Sequence, residues 1–281
     1  MSQKRRSVAA EPHLVVRSAV GDHLDGQEIA EHRHDWHQLV YVRSGLMTVR
    51  TPAGAWFAPP TWAVWVPARA RHSIRFAGRS AVRTLYLRPG IGGYGECRAL
   101  AVSPLLRELI VRAADIGMLD ERVPVEAAMA AVILAELPVD TRGVDVPGAE
   151  PADARTSAQA ARHGDGPSAF TLPEPESPLM VKVAAMLDAG ATLAVIARRL
   201  EIGVRTLERR FHDETGMTPG RWRRQRMLLR GLERIAEGAT VAAASEIAGY
   251  ETPSAYVAAF RATFGTTPGH LFPVNPQACE R

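Results

Sequence analysis

Cysteine and lysine are nearly missing from this chain of 281 residues. Cys97 and Cys279 are its only cysteines, and Lys4 and Lys182 the only lysines among 34 basic side chains. Two distant thiols exclude a disulfide framework, a cysteine-built zinc finger and an iron–sulfur cluster. Long apolar runs are lacking too. The longest, Ala127–Ala135, is nine residues, about half of the roughly 18 that a membrane-spanning helix needs. The N-terminal MSQKRRSVAAEPH has no apolar stretch behind its basic residues. The expectation is therefore a cytoplasmic protein with no secretory signal and no membrane partner. Net charge is only +4, and the residues are 46% hydrophobic and 23% charged. That is the balance of a chain able to bury the cores of about two domains.

What the chain does have is arginine, unevenly placed. Between Arg198 and Arg234 stand eleven arginines against five acids. Such a cluster is the electrostatic footprint expected of a nucleic-acid binder, with a solvated helix face as the plainer alternative. Arginine's planar fork suits phosphates and guanine edges. An acidic stretch precedes the cluster. Residues 139–177 hold five prolines, four glycines and one aromatic, Phe170, without sustained apolar periodicity. This composition reads as a flexible linker, so residues 1–138 and 178–281 read as separate domains.

Residues 28–90 carry β patterning. HQLVYVR (37–43) and LMTVRT (46–51) flank Ser44-Gly45, which predicts a hairpin. WAVWVP (62–67), HSIRF (72–76) and VRTLYLR (82–88) predict further short strands, hence a small barrel or sandwich. Ser103-Pro104 then opens a helix with apolar positions 105, 106, 109, 110 and 113, and 123–137 predict a second. These two helices pack on the barrel or pair with a second copy, so residues 103–137 are the candidate homodimer surface.

Beyond the linker the patterning is helical and it repeats. Phe211, Gly216 and Thr218-Pro219-Gly220 recur 49 residues later as Phe260, Gly265 and Thr267-Pro268-Gly269. A short helix, a turn and a longer helix at this period predict a duplicated helix-turn-helix, about 193–216 and 241–265. In the first copy Leu193–Leu200 and Val204–Glu214 are the two helices. Ile196, Ala197, Leu200, Val204, Leu207 and Phe211 form the inner face. Arg205, Glu208, Arg209 and His212 are left outside at one-turn spacing, where arginine reads guanine O6 and N7 in the major groove. Thr218 caps a rod-like helix running to about Glu237, which carries Arg221, Arg223, Arg224, Arg226 and Arg230.

The segments IARRL, RTLERRFHDETGMTP, RWRRQRML and GYETPSAYVAAFRATFGTTP resemble the DNA-binding domain of the AraC/XylS family of bacterial transcription regulators. The resemblance covers Leu179–Phe272. It implies base contacts from Arg205, Glu208 and Arg209 in the first unit, with Thr206 and His212 beside them. In the second it implies Ser254 and Ala258 with Thr252 and Arg261, and Arg224 on the rod faces phosphate. Val257, Ala258 and Ala259 offer few hydrogen-bonding groups, a departure that leaves the second unit phosphate and shape.

The N-terminal part has a motif of its own. His32-x-His34 with Gln38, then Trp65-Val66-Pro67 and His72 about 30 residues from the first pair, resemble the two histidine motifs of the cupin fold. The resemblance implies a barrel pocket lined by His32, His34, Gln38 and His72. Trp36, Tyr41 and Trp65 add aromatic walls for a small-molecule effector. In metal-binding cupins a glutamate stands where this chain has Gln38, a poorer ligand. The reading taken is an effector pocket with no cofactor. The alternative is a divalent transition metal on His32, His34 and His72, with Zn, Ni, Cu or Fe favoured over Mg.

Together these features predict a multidomain α+β protein: a cupin-like β-barrel with two packed helices, a linker, and an all-α double helix-turn-helix domain. The predicted function is a sequence-specific regulator, activator or repressor, that answers a small molecule. Its partners are double-stranded promoter DNA and, for an activator, RNA polymerase. No catalytic residue is assigned. A metal-dependent cupin enzyme fused to a DNA-binding domain is the competing reading, and Gln38 in place of an acid counts against it. A DNA repair protein transferring alkyl groups would need a reactive cysteine, which neither Cys97, after the glycine-rich GIGGYGE, nor Cys279 supplies.

Overall fold

The computed structural model describes residues 12–137 and 170–272. Cys279 and residues 139–169 of the predicted linker lie outside the described residues. Alternation builds the N-terminal barrel. Its strands are β1 (Leu14–His23), β2 (Glu28–His32), β3 (His37–Thr51), β4 (Gly54–Ala58), β5 (Trp62–Val66), β6 (His72–Leu87), β7 (Arg98–Ala101), β8 (Met118–Asp120) and β9 (Thr171–Leu172). They form one sheet in the order β7-β5-β3-β6-β1-β8, with β2 on β6, β4 on β3 and β9 on β4. On β3 the side chains of Gln38, Val40 and Val42 share one face, and the latter two pack inside with Val64, Val66, Ile74 and Phe76. Leu39 and Tyr41 take the other face and pack with Trp65, Leu85 and Leu87.

Two helices cover that outer face, α1 (Pro104–Ile116) and α2 (Pro124–Glu136). Ser103 Oγ accepts the Leu106 N–H at 3.0 Å, with Pro104 in the first turn as its missing N–H allows. Leu106, Ile110 and Ile133 bury against the sheet. Each fully buried side chain of this kind stabilises by about 1.5–3 kcal/mol.

The predicted hairpin at Ser44-Gly45 does not form. β3 runs straight through it, as β6 runs through residues 77–81, and the two pair along their whole length with register shifts around Ser44. Gly45, at φ +78°, absorbs the extra residue as a bulge; a β-carbon there would lie 2.1 Å from Ser80 Oγ. A turn dipeptide has become a bend because a long partner strand continues the ladder on both sides.

The C-terminal helices are α3 (Pro178–Asp188), α4 (Leu193–Leu200), α5 (Val204–Thr215), the rod α6 (Pro219–Ala236), α7 (Val241–Ile247), α8 (Pro253–Phe264) and α9 (Pro268–Leu271). Ser177, Thr192, Thr218, Thr240 and Thr252 each cap the helix that follows with a side-chain oxygen. The rod therefore starts at the predicted cap and spans roughly 27 Å.

The predicted linker ends earlier than its composition suggests. Thr171–Leu172 pairs with β4, and the Phe57 N–H donates to the Phe170 carbonyl at 2.8 Å. Phe170 is fully buried, stacked on Phe264 at 4.9 Å and edge-on to Trp62 at 5.1 Å. The Trp222 indole N–H donates to the Pro173 carbonyl and the Gln225 amide to that of Thr171, at 2.7 and 2.6 Å. Arg50 of β3 pairs with Glu174 at 2.9 Å. Two apolar side chains and a free sheet edge are enough to order residues 170–177 as a strap. Leu46, Ala55 and Phe57 of the barrel thus join Phe170, Leu172 and the helical residues in one core.

Candidate effector mouth and DNA-reading helices

Strand pairing assembles the first site. His32 on β2 lies opposite His72 on β6, and the short segment after β2 turns His34 back toward both. Ring centroids are 4.2 Å apart for His32 and His72 and 5.0 Å for His34 and His72. One ring nitrogen from each of the three falls within 4.8 Å of the others. Every ring is anchored by the main chain: Nδ1 of His32, His34 and His72 lies 2.9, 2.5 and 3.0 Å from the carbonyls of Ala30, Trp36 and Ala70. A carbonyl only accepts, so each Nδ1 carries the proton and each Nε2 presents a lone pair. Burial holds the His34 imidazole below its ordinary pKa, and that of His72 down to about 4, so both are neutral near pH 7.

Gln38 completes the mouth with Tyr86. Gln38 Oε1 stands 2.8 Å from His34 Nε2, and the Gln38 amide nitrogen donates to the Tyr86 hydroxyl at 3.4 Å. Two acceptor atoms face one another across the first contact. Either a cation sits there or the amide is turned to donate to the imidazole. His72 Nε2 is buried with no hydrogen-bond partner among the described residues.

Some predicted lining residues lie elsewhere. Tyr41 and Trp65 belong to the outer face under α1 and α2, and the Trp65 indole donates to the Tyr94 carbonyl at 2.9 Å. The reason was legible: Tyr41 is three residues from Gln38, and odd offsets on a strand point oppositely. Trp65 is wedged under the glycine-rich loop, where a β-carbon on Gly93 would come within 2.1 Å of its ring. Trp36 is buried beneath the Arg17 guanidinium, 4.4 Å from its ring centre. Tyr86 and Arg17 were missed because only the pairing Arg17↔Tyr86↔Gln38 brings them into this row.

The helical repeat supplies the second surface. Leu207, Phe211 and Thr215 anchor α5 as Tyr256, Phe260 and Phe264 anchor α8. Arg205, Glu208, Arg209 and His212 are exposed and Thr206 half-buried. On α8, Thr252, Ser254, Ala258 and Arg261 are exposed, and the Thr252 hydroxyl accepts the Ala255 N–H at 3.2 Å. Thr252 therefore caps its helix. Val204, expected on the inner face, is 41% exposed, because the turn before α5 lifts its first residue off the core.

The rod's arginines divide into two sets. Arg226 pairs with Asp188 and Glu233, each at 3.3 Å, and Arg230 donates to the Asp188 carbonyl at 3.1 Å. These two tie the rod to α3. Arg221 and Arg224 remain exposed.

Residues 15–128 match the family described as the AraC-like ligand binding domain, and residues 196–272 match a helix-turn-helix domain family. The HTH-type transcriptional regulator NimR of Escherichia coli K12 is 26% identical over 258 residues, covering 89% of this chain and 85% of that protein. Among solved structures, apo ToxT of Vibrio cholerae is similar over 93% of this chain and 98% of its own, at 10% identity and TM-score 0.35. A cupin superfamily protein of Desulfitobacterium hafniense is similar over 26% of this chain and 68% of its own, at 20% identity and TM-score 0.25.

Proposed function

The chain belongs to the AraC family of DNA-binding transcription regulators with a ligand-binding domain, and from that premise we propose that the three-histidine mouth receives the small-molecule signal, with a divalent transition metal on His32, His34 and His72. The observation that carries this reading is the set of three main-chain-anchored imidazoles, one ring nitrogen of each within 4.8 Å of the others. The donor set fits such an ion. Main-chain carbonyls fix each tautomer as the outer shell of a metal site does, and buried His72 Nε2 has no hydrogen-bond partner among the described residues. All-imidazole ligation favours Zn, Ni, Cu or Fe over Mg. These contacts turn the preference away from a metal-free pocket.

A bound cation would supply a Lewis-acid point at which an effector oxygen or nitrogen is held. The chain's own residues orient what binds: Tyr86 offers a hydroxyl and Gln38 an amide. No residue is assigned a catalytic role. The regulator works on promoter DNA in the cytoplasm. Arg205, Thr206, Glu208, Arg209 and His212 address one half-site, Thr252, Ser254, Ala258 and Arg261 the other, and Arg224 a phosphate. Exposed Leu105, Val125 and Val132 support pairing with a second copy across residues 103–137, and RNA polymerase is the partner if the protein activates.

Elemental analysis of the purified full chain tests the metal. We expect about one ion per chain, lost in His32→Ala and His72→Ala alike and held more tightly in Gln38→Glu. Protein that stays metal-free when offered Zn, Ni, Cu and Fe in turn overturns it. His34→Ala should bind DNA normally yet lose its response to inducer, and full response with all three histidines replaced overturns the sensing site.

A further inference from the structure

The two reading helices present the same scaffold with opposite chemistry. Shifted by 49 residues, Arg205 corresponds to Ser254, Thr206 to Ala255, Arg209 to Ala258 and Asp213 to Ala262. Both helices end on a left-handed glycine, Gly216 at φ +67° and Gly265 at φ +73°. Three large side chains seal the inner side of α8: Tyr256, Phe260 and Phe264. The side turned away from them is made of Ser254, Ala255, Ala258 and Ala262, all exposed. On α5 the same side carries Arg205 and Arg209.

We infer that α8 reads thymine, through contact of the Ala255 and Ala258 methyl groups with the C5-methyl that only thymine carries in the major groove. The inference rests on the family reading, under which both helices meet DNA, and goes beyond it by naming what the second one recognises. The physical case has three parts. Ala255, Ala258 and Ala262 have no donor or acceptor with which to read G, C or A edges, so apolar contact with a methyl group is the one direct readout open to them, while the Ser254 hydroxyl both donates and accepts and so singles out no base. Its short side chains let the backbone approach closely, which a row of arginines would prevent. The scaffold and caps are intact, so α8 is presented as α5 is, and its blandness is a choice of contact rather than loss of the unit. The operator then has unlike halves: one carrying guanine under Arg205 and Arg209, the other carrying thymine under Ala255 and Ala258. The halves lie about one helical turn, roughly 10 base pairs, apart.

The test replaces thymine by deoxyuridine, which removes the methyl and leaves every hydrogen-bonding group in place. The full-length protein first selects its sites from random duplex DNA. Single dT-to-dU changes are then scanned through both half-sites. At one or two positions of the second half the affinity should fall roughly fourfold, the worth of one buried methyl group. The first half should be indifferent. Ala258→Gly should lose the sensitivity, and Ala258→Arg, copying Arg209, should shift that base preference to guanine without altering the first half. A selected operator that tolerates deoxyuridine everywhere overturns thymine reading and leaves the regulator reading intact. Failure to select any sequence overturns both.

Discussion

Gly78 of β6 lies against the last turn of the rod. A β-carbon on Gly78 would come 1.9 Å from the Ala236 carbonyl oxygen, and the residue already sits at φ +70°. The same strand carries His72 into the barrel mouth six positions earlier. One continuous ladder thus runs from the histidine cluster to the seat of the DNA-binding domain.

Gly78→Ala should therefore part the two domains. Neither the left-handed backbone nor the neighbouring main chain can yield cheaply, so stability should drop by about 1–3 kcal/mol. Urea denaturation followed by tryptophan fluorescence measures it. A single transition with an unchanged midpoint shows that the contact contributes nothing.

The strap gives a second expectation. A fragment starting at residue 178 leaves bare the groove that Phe170 and Leu172 fill, and frees the Trp222 indole and Gln225 amide of their carbonyl partners. A fragment starting at residue 170 keeps these contacts. The longer one should be more stable by at least ~2 kcal/mol, about the worth of one buried large side chain. Equal melting midpoints would mean that the strap serves only the barrel.

How far the sequence reached follows from the range of each signal. Helix boundaries came out closely because caps are local: Ser103-Pro104 and Thr218-Pro219 announce themselves within four residues. The three histidines were legible as a set because their spacing survives strand pairing. Strand lengths were not, since whether Ser44-Gly45 turns or bulges depends on β6, some 30 residues away. Phe170 looked like one aromatic in a disordered stretch, and only the groove between barrel and helices gives it a place. Arg17 and Tyr86 needed the ladder itself.

Stability should depend on pH through the barrel mouth. Burial depresses the His72 pKa from 6.5 to about 4, so between those values the unfolded chain binds the proton first. Stability then rises with pH across that window and levels off above 6.5. In metal-depleted protein, thermal midpoints between pH 4 and 7 should trace this slope, and His72→Gln should make it shallower, leaving the share of His34, whose pKa burial also lowers. A wild-type profile flat over that range contradicts the assignment.

Gly231 seats the second reading unit on the rod. Its β-carbon would lie 2.6 Å from the Tyr256 hydroxyl, which donates to the Leu228 carbonyl at 3.2 Å. Gly231→Ala should cost about 1–3 kcal/mol by overpacking. Two ring carbons of Tyr256 lie 2.8 Å from the same point, so Tyr256→Leu, which removes the ring edge with the oxygen, should make the double variant lose less than the two single losses added together. Strict additivity in a denaturation cycle places the strain elsewhere.

Arginines on the rod can be sorted by salt. Arg224 is exposed, and Arg226 is held by Asp188 and Glu233 with 16% of its side chain accessible. If Arg224 faces a phosphate, Arg224→Ala should weaken binding to specific and random DNA alike. It should also lower the slope of log affinity against log salt by about 1, one counterion fewer being released. Arg226→Ala should leave that slope unchanged and instead cost about 1–2 kcal/mol of folding stability, since Glu233 loses its cation and Asp188 keeps only Arg230, at 3.7 Å. Arg209→Ala should do neither: the slope and the fold hold, while discrimination at one base falls by about 1–3 kcal/mol. Titrations at three salt concentrations on matched and random duplexes, beside urea melts of each variant, separate the three outcomes. A salt slope that drops for Arg226→Ala would move that residue from the fold to the DNA contact surface.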